Sequence, residues 1–141
     1  MKVYEGGTDL MNPRGRIDRR RGRREGRMST SHVLERLADR LRGHPLVIRV
    51  AFLRTKIRAY LRHGFILDIF YNMSTGRYSF AVIRGARRIM GWDNAPHHVD
   101  VATYPHHFHA IDGSIKPSDL VGNPLVDIEK VLRKLEEFIG V

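Results

Sequence analysis

The sequence predicts an α+β domain, a curved antiparallel sheet meander of about four to six strands with one helix before it and one after it. Three observations carry this. Residues 46 to 92 form β-rich runs punctuated by glycine-containing turns, apolar residues recur at helical spacing on either side of that stretch, and 141 residues suit one core. A single domain is therefore expected over 29–141, preceded by an Arg-rich arm over 1–28.

The first helix is read over about 31–42, where Val33, Leu34, Leu37, Ala38 and Leu41 share a face. Ser29, Thr30 or Ser31 can supply the N-cap. Gly43 stands where a left-handed C-cap residue belongs, and Pro45 prevents continuation.

The strands are expected at 46–62 (bent near Arg54), 65–72, 77–84 and 87–92, separated by His63-Gly64, Ser74-Thr75-Gly76 and Gly85-Ala86. In the first, Arg54, Lys56, Arg58, Tyr60 and Arg62 alternate with Thr55, Ile57, Ala59 and Leu61. One face then carries four cations and a ring, and the opposite face packs. Such a face suits single-stranded nucleic acid, phosphates meeting cations and bases meeting the aromatic. It equally suits a solvated face that keeps an edge strand from aggregating.

The closing helix begins with Asn123 as N-cap and Pro124 at its first position, with Asp127 in the first turn. Leu125, Ile128, Val131, Leu132, Leu135, Phe138 and Ile139 form its repeating face, and Gly140 ends it. Two helices can cover the apolar side of the sheet and leave the other side open to a ligand.

Charge is uneven along the chain. Of the formal +10, residues 12–27 hold eight Arg against Asp18 and Glu25, and residues 28–141 still carry a net +5. The segment 14–27 has almost no apolar side chains and is expected to be disordered alone. It is read either as an arm that releases counterions from phosphates or as a stretch upstream of a start at Met28. No apolar run approaches the roughly 18 residues of a membrane span, and none resembles a secretory signal. The absence of Cys rules out disulfides and thiolate ligands. A cytoplasmic location fits these features, and Arg over Lys at twenty to five with no Gln suggests a thermophilic source.

The chemistry concentrates elsewhere. Five of the eight His lie within the thirteen residues from His97 to His109. Imidazole titrates near neutrality and binds transition ions, so clustering it invites proton transfer or metal binding. Histidines in a Pro-containing loop can also be polar filler. If 106–109 is extended, His107 and His109 project to one face, His106 and Phe108 to the other.

Two chemistries then fit. In one, a neutral imidazole takes the 2′-hydroxyl proton of RNA while a protonated one donates to the leaving oxygen, with Arg or Lys stabilising the phosphorane. In the other, His97 or His98 joins His107, His109 and Asp93 around a divalent ion. Asp93 can orient an imidazole or cap the Asn94-Ala95-Pro96 turn. Trp92 reads as a core lid or a stacking platform, and Tyr104 and Tyr60 as proton donors, stacking rings or packing. A non-catalytic metal- or nucleic-acid-binding module with a structural His site is the alternative to an enzyme.

Trp92-Asp93-Asn94-Ala95-Pro96-His97-His98, a short spacer, Tyr104-Pro105-His106-His107-Phe108-His109, and Lys116-Pro117-Ser118-Asp119 before a terminal helix closely resemble the TumE family over about 45–139. The long Arg-rich arm and Tyr104, where Phe is commoner, depart from that pattern. The resemblance implies a toxin component of a prokaryotic type II toxin–antitoxin module, with a helix-turn-helix antitoxin as partner. Combined with the residue reading, it gives a toxin acting on RNA as a ribonuclease. His107, His109, His98 and Asp93 are the candidate catalytic residues, Arg54, Lys56, Arg58, Tyr60 and Arg62 the candidate nucleic-acid contacts, and His97, His98, His107 and His109 the ligands of any divalent metal.

Overall fold

A computed structural model describes residues 29–140. The Arg-rich arm expected over 1–28 lies outside the described residues. Helix α1 spans Thr30–Arg42, and the Ser29 side chain caps it by accepting the His32 N–H at 3.1 Å. Its apolar stripe buries Val33, Leu37, Ala38 and Leu41. Gly43 does not take the left-handed conformation expected of it, since its φ is −87°. The helix instead tightens at its end, with Gly43 N–H donating to Arg40 O at 3.3 Å and His44 N–H to Leu41 O at 3.0 Å, before Pro45.

The stretch 46–62 is two strands, β1 (Val47–Phe52) and β2 (Lys56–Leu61), paired antiparallel. The chain reverses between them, where Leu53 N–H donates to Lys56 O at 2.8 Å. After a short 3-10 turn at Arg62–Gly64 come β3 (Phe65–Asn72), β4 (Arg77–Arg84) and β5 (Arg87–Asp93), close to the expected spans. Two three-residue strands follow, β6 (His107–His109) and β7 (Ile115–Pro117). Helix α2 runs Pro124–Ile139, with Asn123 Oδ1 accepting Leu125 N–H at 3.2 Å.

The result is an α+β fold with one seven-stranded, unclosed sheet in the order β1 to β7, every neighbour antiparallel. That exceeds the expected strand number by the split at Arg54 and the small terminal hairpin. Ile57, Ala59, Leu61, Leu67, Ile69, Phe80, Val82 and Met90 project from one face against Leu37, Leu41, Ile128, Leu132 and Leu135 of the helices. Trp92 belongs to this core at 5% exposure, its ring centroid 4.9 Å from that of Phe108, which decides between its two expected roles. The helices are tied together by a bidentate Arg40–Glu129 pair and by the buried His44, whose ring meets Glu136 at 2.6 Å. No helix among the described residues is long and apolar enough to cross a membrane.

Candidate functional site

The face opposite the helices is organised in rows, because directly opposed residues of an antiparallel sheet share a face. Pairing places Arg58, Asp68, Ala81, Gly91 and His109 on one row across β2 to β6, and Lys56, Phe70, Ser79, Asp93 and His107 on the next. At about 4.8 Å per strand, Arg58 and His109 stand roughly 19 Å apart. Ala81 and Gly91 leave a low floor between them. A cleft of about 370 Å³ opens beside the middle of the second row, with Phe70, Arg77, Ser79, Asp93 and Ala95 in its lining.

The histidine end is built by β5 and β6. His107 and His109 are i and i+2 on a strand, so both rings face the open side while Phe108 points to the core. Asp93 lies directly opposite His107. Its two oxygens divide between the rings, Oδ1 lying 3.1 Å from His107 Nε2 and Oδ2 3.0 Å from His109 Nε2. The two Nε2 atoms are 3.1 Å apart. Asp93 Oδ1 also accepts the Ala95 N–H at 2.9 Å, so this carboxylate both orients imidazoles and caps the following turn. Asn94 fixes that turn to the β3–β4 hairpin, taking the Tyr78 N–H at 3.0 Å and donating to Gly76 O at 2.8 Å.

His107 is 1% exposed. Its Nδ1 lies 3.0 Å from Pro105 O, which can only accept, so Nδ1 carries a proton and Nε2 is the atom that faces Asp93 and His109. His98 comes from the loop between β5 and β6 and packs over both, with ring centroids 4.6 Å from His107 and 5.8 Å from His109. One ligand atom each of His98, His107 and His109 lies within 4.8 Å of the others, a grouping able to hold a metal ion. Burial lowers the pKa of His109, and the Arg88 charge lowers it further against the opposing pull of Asp93.

The other histidines of the segment are elsewhere. His97 is exposed and does not join the group, because the turn at Ala95–His97 aims only the second of the adjacent pair inward. His106 faces away, stacked on Tyr78 with its Nδ1 2.8 Å from the phenol. Burial foremost raises the pKa of that phenol, which stays protonated and donates.

The cationic stripe is also redistributed. Arg54 falls in the β1–β2 reversal, and Arg62 opens the 3-10 turn and donates to Pro45 O at 2.8 Å. Lys56, Arg58 and Tyr60 remain on the open face, where Arg58 makes two hydrogen bonds to Asp68 at 2.7 and 2.8 Å and Lys56 a third at 2.8 Å. Arg49 lies over the Tyr60 ring, 4.1 Å from its centroid. Sequence reasoning missed Arg88, which reaches within 3.5 Å of His109 Nδ1, and the floor residues Ala81 and Gly91. A glycine inside a strand does signal close backbone approach, and a Cβ on Gly91 would sit 2.8 Å from Phe80 O.

The family model of the toxin TumE matches residues 34–139, three quarters of the chain, and takes in α1 to α2 with every residue of this centre. The chain belongs to the TumE toxin family. No curated protein and no solved structure matches it. The TumE match begins at Leu34, within α1, and so covers more of the chain than the motif resemblance over 45–139. In this TumE chain the motif histidines divide into three that group together, two of them on Asp93, and two that lie elsewhere.

Proposed function

We propose that this chain is the toxin of a prokaryotic type II toxin–antitoxin module, held by a helix-turn-helix antitoxin in the cytoplasm and acting on RNA as a ribonuclease. The observation that carries the reading is the grouping of His98, His107 and His109, the last two held by Asp93, at one end of a face whose other end presents Lys56, Arg58 and Tyr60. A strand of RNA laid along the rows meets cations and a ring at one end and the imidazole centre at the other. Cleavage requires that the 2′-hydroxyl lose its proton, that its oxygen bond to phosphorus, and that the 5′ oxygen leave with a proton. The centre can serve this with imidazoles directly or through a bound ion.

One observation favours a second reading. His107 is 1% exposed beneath His98, as in a site that stiffens its loop, and the chain would then be a non-catalytic module that holds a structural ion and binds nucleic acid.

End-labelled single-stranded RNA incubated with the full chain, beside a His107→Ala, His109→Ala variant, separates these readings. Cutting lost in the variant is expected. Intact RNA under all ionic conditions, or growth arrest that survives the double substitution in a host cell, would overturn the ribonuclease reading.

A further inference from the structure

We propose that Asp93, His98, His107 and His109 form a mononuclear site for a divalent transition ion of the zinc or iron(II) kind. This deepens the reading of the same centre as the reactive one, and its test does not depend on RNA.

Pro105 O accepts from Nδ1 of His107, so Nε2 of that ring is the nitrogen available to ligate. It lies 3.1 Å from Asp93 Oδ1, while His109 Nε2 lies 3.0 Å from Oδ2 and the two Nε2 atoms are 3.1 Å apart. Protons that satisfy both oxygens set two N–H groups against each other, and a single proton leaves an oxygen facing a lone pair. A cation held between the two rings and the carboxylate satisfies every one of these atoms.

The dimensions agree with a metal. Ligands about 2.0–2.1 Å from an ion are separated by about 2.9 Å at right angles and about 3.4 Å at the tetrahedral angle, and the observed edges fall between. Two imidazoles and one carboxylate from adjacent strands make a face of three ligands. His98, on the loop, closes toward it as a fourth and leaves the ion accessible from the open side of the sheet. The outer contacts are those that metal sites use: a carbonyl fixes the tautomer of His107, and the Ala95 N–H holds the Asp93 oxygen. With the ion bound, His109 Nδ1 carries a proton and no longer accepts from the exposed Arg88, which lies 3.5 Å away.

Ligand type selects the ion. Three imidazoles favour zinc, iron, nickel, cobalt or copper over magnesium and calcium, which prefer an oxygen shell. None of the ligands comes from a helix, so the site is fixed by strand pairing and closed by one loop.

The test uses the full chain stripped with EDTA and titrated with Zn²⁺, with Co²⁺ as the absorbing substitute and Mg²⁺ as the contrast. One Zn²⁺ or Co²⁺ per chain is expected, with no Mg²⁺ bound at the same concentration. The Co²⁺ band should mark a nitrogen and oxygen shell. Affinity should fall by more than about 100-fold in His109→Ala, exceeding the 10- to 100-fold typical of outer contacts, and stay unchanged in His97→Ala.

His98→Ala, a loop substitution remote from the core, keeps the test valid if His109→Ala does not fold. Diamagnetic Zn²⁺ added to the wild-type chain should also shift the ring resonances of His98, His107 and His109 more than those of His97. A folded chain that takes up neither Zn²⁺ nor Co²⁺, or whose uptake is the same in His98→Ala and His109→Ala, would overturn the proposal. RNA cut by a chain that takes up neither Zn²⁺ nor Co²⁺ would remove the ion site and leave the ribonuclease, whereas an ion bound with RNA intact would do the reverse.

Discussion

Asp68 governs how much of the cationic stripe a ligand can use. It is 5% exposed in the middle of the open face and takes hydrogen bonds from both Arg58 and Lys56, so three charged groups present a net of one positive charge. Burial opposes its ionisation, but the two cations outweigh burial and hold its pKa below the usual carboxylate range. Because the folded value is depressed, the stabilisation is complete above the unfolded value, about pH 4, and disappears as pH falls through the folded one. Asp68→Asn should therefore lower stability by about 1–3 kcal/mol at pH 7, and urea midpoints of the two proteins should draw together below about pH 4. An unchanged gap at low pH would mean that packing, not charge, holds Asp68.

Gly91 acts through what it lacks. A Cβ there would lie 2.8 Å from Phe80 O, so Gly91→Ala must displace backbone in the strand that carries Asp93. A loss of about 1–3 kcal/mol is expected, read from the thermal midpoint.

Among the elements, those legible in the sequence are those with long, regular patterns. The expected 65–72 and 77–84 match β3 and β4, because each has alternation over eight residues and a glycine at its turn. Asn123, Pro124 and Gly140 bracket α2 as read, since caps are chemical signals independent of packing. At Arg54 a bend was legible but not the full reversal, because no glycine or proline marks it. Three residues of β7 are too few to show a period.

At the centre, His107, His109 and Asp93 were readable from i, i+2 spacing and proximity to a strand end. The choice between His97 and His98 was not, since a loop has no period to say which ring turns inward.

The connection from β7 into α2 depends on Asp127, which is fully buried and takes the N–H groups of Val121 and Gly122 at 3.0 and 2.9 Å. Asp127→Ala leaves two amides without partners, and a destabilisation of about 2–4 kcal/mol is expected. Amide exchange should accelerate at Val121 and Gly122 first. Uniform acceleration through the core would place the role of Asp127 elsewhere.

At the scale of the molecule, the two layers separate stability from chemistry. Both helices and the large apolar side chains lie on one side of the sheet, and the histidine centre lies on the other with the Lys56–Arg58–Asp68 group. Substitutions at the centre that avoid Gly91 and the buried His107 should alter activity with little change in melting.

The proposed action on RNA carries a further expectation. If about three phosphates meet Lys56, Arg58 and Arg88, affinity for a single strand should fall roughly 10- to 20-fold as salt rises from about 50 to 200 mM. A salt-independent affinity would point to a target that is not a polynucleotide.

The distance between Asp93 and His107 is set across a ladder and not along the chain, although thirteen residues separate them in sequence. Loop length between the two strands can therefore vary among descendants of this chain without moving the carboxylate from the rings, provided that His98 keeps its reach. A one-residue slip of β6 is a different matter, for it would turn His107 and His109 into the apolar layer and Phe108 out to solvent. Such a slip would damage core and centre at once. A lineage can thus lengthen or rewrite the loop over its histidine centre freely, while the three-residue strand beneath it admits almost no insertion.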